Sequence, residues 1–178
     1  MDEPTLTVRP VTRETWPDMV GLFEGEGCPH YCWCMPYRHP RSQDLDKPEK
    51  KAAMEALVTA GTPVGMLAYD GAEPVAWVSV APRETFPKLE RSRVMPDVGD
   101  EGVWTVLCMF VRRDWRERGV THALLSGAVE YASESGARVM EAYPWDTAGI
   151  TATHMGHSTM YEAAGFVPDE GRRWVRRL

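Results

Sequence analysis

Cysteine is scarce in this chain, with four residues among 178. That is too few for a disulfide scaffold, and nothing in the sequence points to export, so reduced thiols are expected. No apolar run approaches the length needed to cross a bilayer. The opening residues MDEPTLTVRP lack the basic start and apolar stretch of a secretory signal. A cytoplasmic protein with no membrane partner is the expectation. Positive charge is also short: 20 Lys and Arg face 26 Asp and Glu, for a net charge of −6 and a pI of about 5.4. A general affinity for nucleic acid is therefore not expected. The basic ending RRWVRRL reads as the solvated face of a last strand. Repeats, low-complexity tracts and linkers are missing as well.

What remains is an ordinary globular composition, 43% hydrophobic and 26% charged. It is enough for a single domain over residues 1–178 with a real core. Residues 5–11 alternate apolar and polar, as a half-buried strand does. Thr12 is placed to cap a helix carrying Trp16, Met19, Val20 and Phe23 on one face. Residues 25–40, GEGCPHYCWCMPYRHP, read as an irregular segment or a short strand. Asp46, with Pro48 and Glu49 behind it, opens a second helix that stops before Gly61.

Strands follow at 64–70 and 73–82, joined by the hairpin signal Asp70-Gly71. A long polar connection leads to 103–111, VWTVLCMFV, which carries no charge and reads as a central strand covered on both faces. A helix over roughly 120–135 comes next, then a strand at 138–145. A looser stretch, DTAGITATHMG, precedes a short helix in HSTMYEAAG, and strands FVPDEG and RRWVRRL close the chain. The order β-α-α-β-β-β-α-β-α-β-β implies an α/β (α+β) fold, a mixed sheet with helices on both faces.

The turn between strand 103–111 and its helix carries the chemistry. It reads Arg116-Glu117-Arg118-Gly119-Val120-Thr121. The first N–H groups of the helix have no intrahelical partners and, with the helix dipole, attract an anion. Gly119 has no Cβ to keep a bulky ligand from the backbone. Arg116 and Arg118 add positive charge. The segment is neither GxxxxGK[ST] nor GxGxxG, yet it is suited to a phosphate or pyrophosphate.

This segment resembles the acetyl-coenzyme A binding motif, Q/R-x-x-G-x-G/A, of the GNAT superfamily of N-acetyltransferases. The preceding strand, the following helix and the MYEAAGF element some 40 residues on also match that family's order, and the likeness is good over 103–167. A Cys-Trp-Cys-Met stretch at 32–35 is similar to one in a bacterial subgroup of it. One position departs: Thr121 stands where the motif has Gly or Ala. The resemblance implies a central, splayed, mixed sheet of about seven strands flanked by about four helices. It implies acetyl-CoA as co-substrate and a small-molecule primary amine as acceptor, attacked directly in a ternary complex. Homodimers are common in the family. The alternative is a non-catalytic acyl-CoA sensor on the same fold.

The resemblance also implies site residues. Met109, Phe110 and Val111 would pair with the pantetheine arm, and a backbone N–H there would polarise the thioester carbonyl as an oxyanion hole does. Arg116, Glu117, Arg118, Gly119, Val120, Thr121 and His122 would surround the pyrophosphate, and His154 would contact the cofactor. Tyr161 would protonate the leaving thiolate, or else pack beside Phe166. Glu141, the odd charge in an apolar strand, is the foremost candidate base, ahead of Glu84 and Glu101. Trp33, Tyr37, Arg38 and Glu84 are candidates for the acceptor pocket, which would read an aromatic or acidic group. The net negative charge of the chain favours a cationic small molecule.

Cys28, His30, Cys32 and Cys34 alternate, so on an extended strand they would face one side. A zinc- or thiol-based redox site is the competing reading. Neighbouring ligands on a strand are roughly 6–7 Å apart, however, too far for one tetrahedral metal without a tight turn. A pocket wall without metal is the expectation, and Cys108 reads as an inert core residue.

Overall fold

The computed structural model describes residues 6–25, 28–146 and 154–178. The elements are β1 (Leu6–Pro10), α1 (Trp16–Glu24), α2 (Lys47–Thr59), β2 (Met66–Asp70), β3 (Glu73–Pro82), β4 (Val103–Val111), α3 (Val120–Glu134), β5 (Val139–Ala142), α4 (Ser158–Ala163), β6 (Val167–Pro168) and β7 (Trp174–Arg177). The seven strands form one sheet in the order β1-β2-β3-β4-β5-β7-β6. Every pairing is antiparallel except β4 with β5. The order and type of elements are those the sequence implies. Part of the stretch DTAGITATHMG, residues 147–153, lies outside the described residues.

The sheet divides the core. On one face α3 lays Val120, Leu124, Leu125, Ala128 and Ala132 against β1 to β4. That stripe follows the 3.6-residue period of a helix, and Val129 is buried beside it. Gly127 permits the close approach, because a Cβ there would lie 2.7 Å from a methyl of Val8. On the other face α1 and α2 bury Met19, Leu22, Phe23, Met54 and Val58 against Leu67, Tyr69 and Trp77. Burying each such side chain is worth about 1.5–3 kcal/mol.

The caps divide one right, one wrong. Asp46 accepts from the Glu49 N–H at 2.9 Å, and Glu49 accepts from the Asp46 N–H at 2.8 Å, a reciprocal capping box. Thr12 does not cap α1. The helix starts later, at Trp16, and the Thr12 N–H instead donates to Thr15 Oγ1 at 2.9 Å.

Residues 28–34 are not a strand. Trp33 and Cys34 both have positive φ, 46° and 50°. Two successive left-handed residues roll the chain into a turn, a conformation non-glycine residues adopt only when packing holds them. That packing is visible: the Trp33 ring stacks on Phe23 at 5.0 Å, and the Trp77 indole N–H donates to Cys34 Sγ at 3.1 Å.

Candidate active site

The parallel pairing of β4 with β5 stops at Val106 and Ala142. Past that point the strands separate. Along β4, Met109 and Val111 lie opposite Val78 and Ala76, and the Arg112 N–H donates to the Val75 carbonyl at 3.0 Å. In an antiparallel ladder this phase turns the backbone groups of Val111, and of Met109 two residues earlier, away from β3. They face the gap.

The gap is not vacant. The Met109 N–H donates to the His154 carbonyl at 2.7 Å, and the Trp145 N–H donates to the Gly156 carbonyl at 2.9 Å. Residues 154–156 therefore bridge the two diverging strands. Of the backbone N–H groups on this stretch of β4 expected to polarise a thioester, that of Met109 is thus already engaged. The Val111 carbonyl accepts from Arg116 Nε at 3.3 Å, tying the turn to the same edge.

A cleft of roughly 910 Å³ opens along this edge. At one end are Trp115, Arg116, Glu117, Val120 and Thr121. Gly119 caps α3 with φ of 74°, and a Cβ there would meet no heavy atom within 4 Å. Glu117 is a second left-handed residue, with φ of 62°. This pair of turns leaves the first N–H groups of a 15-residue helix uncapped by any side chain. Arg118 lies over the Trp115 ring at 5.2 Å instead of entering the cleft. His122 faces elsewhere, lining a separate shallow cavity of roughly 620 Å³ with Ser126 and Arg176.

Met109, Phe110, Val111 and His154 line the middle of the cleft, together with His157 and Met160. Partial burial lowers the pKa of His154 below the ordinary imidazole value, so it is neutral near pH 7. At the far end stand Tyr37, Cys34, Ser79, Phe86 and Cys108. Cys32 joins them, and the thiols of Cys32, Cys34 and Cys108 contact one another in a chain. Hydrogen bonding to its neighbour, with burial, pushes the Cys32 thiol well up, and Cys34 likewise. Both are neutral thiols. Among the described residues no group of three or more His, Cys, Asp or Glu is arranged to hold a metal.

Other expected site residues lie outside the cleft wall. Trp33 is 2% exposed and belongs to the core beneath α1. Glu84 is exposed on a short turn, and Glu101 pairs with Arg138 at 2.9 Å on the surface. Tyr161 is buried against Phe166, its hydroxyl donating to the Met155 carbonyl at 2.8 Å. Burial and then the neighbouring Cys108 push its pKa well up.

Glu141 needs a larger correction. It is 1% exposed and both carboxylate oxygens are taken. Oε1 accepts from Arg83 and, at 2.8 Å, from Thr105 Oγ1. Oε2 accepts from Arg173 Nε at 2.7 Å and from the Tyr143 hydroxyl at 3.2 Å. Arg173 also binds Asp100 and Asp169, and Arg83 reaches the Met95 carbonyl at 2.6 Å. The lone charge in an apolar strand is thus the hub that ties the 83–100 connection to the sheet, not a group open to a substrate.

Sequence reasoning missed Ser79, Phe86 and the role of Cys108. Ser79 had a readable signal, since it is the one polar residue between Val75 and Ala81. Phe86 had none, because only the fold of the polar connection carries it to the cleft.

Comparison with known proteins agrees with this geometry. Residues 26–156 match the Acetyltransferase (GNAT) family. No curated protein matches the chain. Among solved structures, the aminoglycoside acetyltransferase AAC(6')-Ib, in complex with coenzyme A, is similar at a TM-score of 0.62 and 12% identity, over 97% of this chain and 95% of that one. An acetyltransferase of the family from Streptococcus pneumoniae gives 0.57 at 14% identity, over 97% and 99%. Another, from Brucella melitensis in complex with acetyl-CoA, gives 0.54 at 11%, over 98% and 89%. At such identities the likeness to these structures is one of fold. The matched span covers most of the sequence, including the cleft-lining residues from Pro29 to Gly156, and the chain belongs to the acetyltransferase (GNAT) family.

Proposed function

We propose that the protein transfers an acetyl group from acetyl-CoA to a primary amine of a small molecule, by direct attack while both are bound. One observation carries this reading: a single cleft joins an anion-suited turn, the β4 edge from Met109 to Val111 and a wall of aromatic and sulfur side chains. The pyrophosphate would lie on the uncapped N–H groups of α3, beside Arg116 and Thr121. The pantetheine arm would run along Val111 and Met109. For the thioester oxygen to use the Met109 N–H, it must replace the His154 carbonyl on that donor.

The acceptor amine must be neutral to attack. With Glu141 committed to arginines, we assign the proton to His154, a cleft-lining imidazole whose pKa partial desolvation lowers. Tyr161 is the proposed acid for the departing thiolate. Burial keeps it protonated, and Met160, its neighbour on α4, lines the cleft. Its O–H must leave the Met155 carbonyl to do so. The subgroup marked by Cys32–Met35, a cytoplasmic setting and a homodimer belong to the same proposal. No described helix is long and apolar enough to cross a membrane.

The test is calorimetric titration with acetyl-CoA beside thiol release over a mixed amine panel. Binding with amine-dependent release is the expected result. Binding without release on any amine would favour the non-catalytic sensor, and no binding would overturn both.

A further inference from the structure

Arg38 is a buried cation without a counter-charge. It is 6% exposed, and its Nη2 donates to the Val64 carbonyl at 2.6 Å and to Ser79 Oγ at 2.9 Å. Its Nε and Nη1 are buried with no partner. Among the described residues no carboxylate pairs with it, and its guanidinium instead lies over the Phe86 ring at 4.4 Å. Its acidic neighbours are the thiols of Cys34 and Cys108, and the pKa of Cys34 is pushed up, so it supplies no thiolate. A buried charge left this way is costly, and such groups ordinarily find a partner.

The groups around Arg38 show where a partner would come from. Ser79, Phe86, Cys34, Cys108 and Tyr37 all line the end of the cleft farthest from the anion-suited turn. Ser79 stands opposite Cys108 across the β3–β4 ladder, next to the irregularity at Ser79 and Val80. Its oxygen accepts from Arg38, which leaves its own O–H as a donor, and no acceptor for that hydrogen is found among the described residues. A hydroxyl donor backed by a buried guanidinium suits an anion, and the planar carboxylate above all.

Resting on the acetyl-transfer reading, we propose that the acceptor is a small amino acid-like molecule, a primary amine that also bears a carboxylate. The carboxylate docks on the Ser79 hydroxyl, with the Arg38 charge behind it. Arg38 is then a positioning residue acting through Ser79. The amine end points back along the cleft toward Met109 and His154. This deepens the acceptor class without adding a reaction step.

The test uses matched pairs that differ only by the carboxylate: phenylalanine with phenethylamine, methionine with 3-(methylthio)propylamine, and lysine with 1,5-diaminopentane. Each is titrated into the coenzyme A-loaded protein by calorimetry, and kcat and KM for acetylation are measured in parallel. In at least one pair the carboxylate member should bind about tenfold to a hundredfold more tightly, the worth of a hydrogen bond to a charged group. The preference should sit in KM rather than kcat. Ser79→Ala, which removes only a hydroxyl, should reduce it to near parity. Arg38→Met should do the same, with Arg38→Lys restoring part of it, a pattern that a purely structural arginine would not produce. If wild type fails to bind coenzyme A, the acetyl-transfer reading falls and takes this inference with it. If coenzyme A binds but no carboxylate member is preferred, or the preference survives Ser79→Ala, the inference alone is overturned.

Discussion

Replacing Glu141 by Gln separates a hub from a base. The substitution keeps the shape of the side chain and removes its charge. Four donors converge on this carboxylate, two of them arginines, and the site is 1% exposed. Removing one partner of a buried ion pair costs about 3–5 kcal/mol, because the other charge is left uncompensated. Here the loss is cushioned. Arg173 keeps Asp100 and Asp169, and Arg83 keeps the Met95 carbonyl. The lower end, about 3 kcal/mol, is therefore expected. For a chain of this size that corresponds to a fall in Tm of about 6–12 °C. The assay is a thermal melt beside acetylation measured at 15–20 °C, where about 3 kcal/mol leaves a domain of ordinary stability folded. The variant should melt early and, while folded, turn over within a few-fold of wild type. An unchanged Tm with a rate lower by about 10²-fold or more, the size of a lost general base, would refute the hub and restore Glu141 as the catalytic group.

Gly119→Glu should abolish acetyl-CoA binding in calorimetry at little cost to folding. Its Cβ meets no heavy atom within 4 Å, so the cost is the left-handed φ alone, about 1–2 kcal/mol. Retained binding would mean that the turn is not the site. Tyr161→Phe should lower kcat by about 10²-fold with acetyl-CoA affinity unchanged, and equal rates would reduce the tyrosine to packing. The acid limb of kcat/KM should follow His154. Because burial lowers its pKa, the imidazole is an acceptor at neutral pH, and activity should fall only as pH drops below the ordinary histidine range. His154→Gln should remove that limb, and a limb that persists would assign the proton elsewhere.

Element order, the hairpin at Asp70-Gly71 and the capping box at Asp46 were legible in the sequence because each is local. Hydrophobic period, turn chemistry and cap residues act within a few positions of one another. The Arg116–Thr121 turn was legible for the same reason, since a glycine opening an apolar helix after an apolar strand needs no distant partner. Which face a side chain takes was less so. The alternation from Cys28 to Cys34 looked like one face of a strand, but Trp33 and Cys34 turn left-handed to bury an indole under α1.

Charge was the least legible quantity of all. Glu141 and Ser79 give the same signal, one polar residue in an apolar strand. Only the tertiary structure gives them different partners. Arg83 and Arg173, 58 and 32 residues away in sequence, close around Glu141. Arg38, 41 residues from Ser79, donates to its hydroxyl oxygen. A local pattern shows that a buried polar group must be satisfied, and only the packing of distant segments decides what satisfies it.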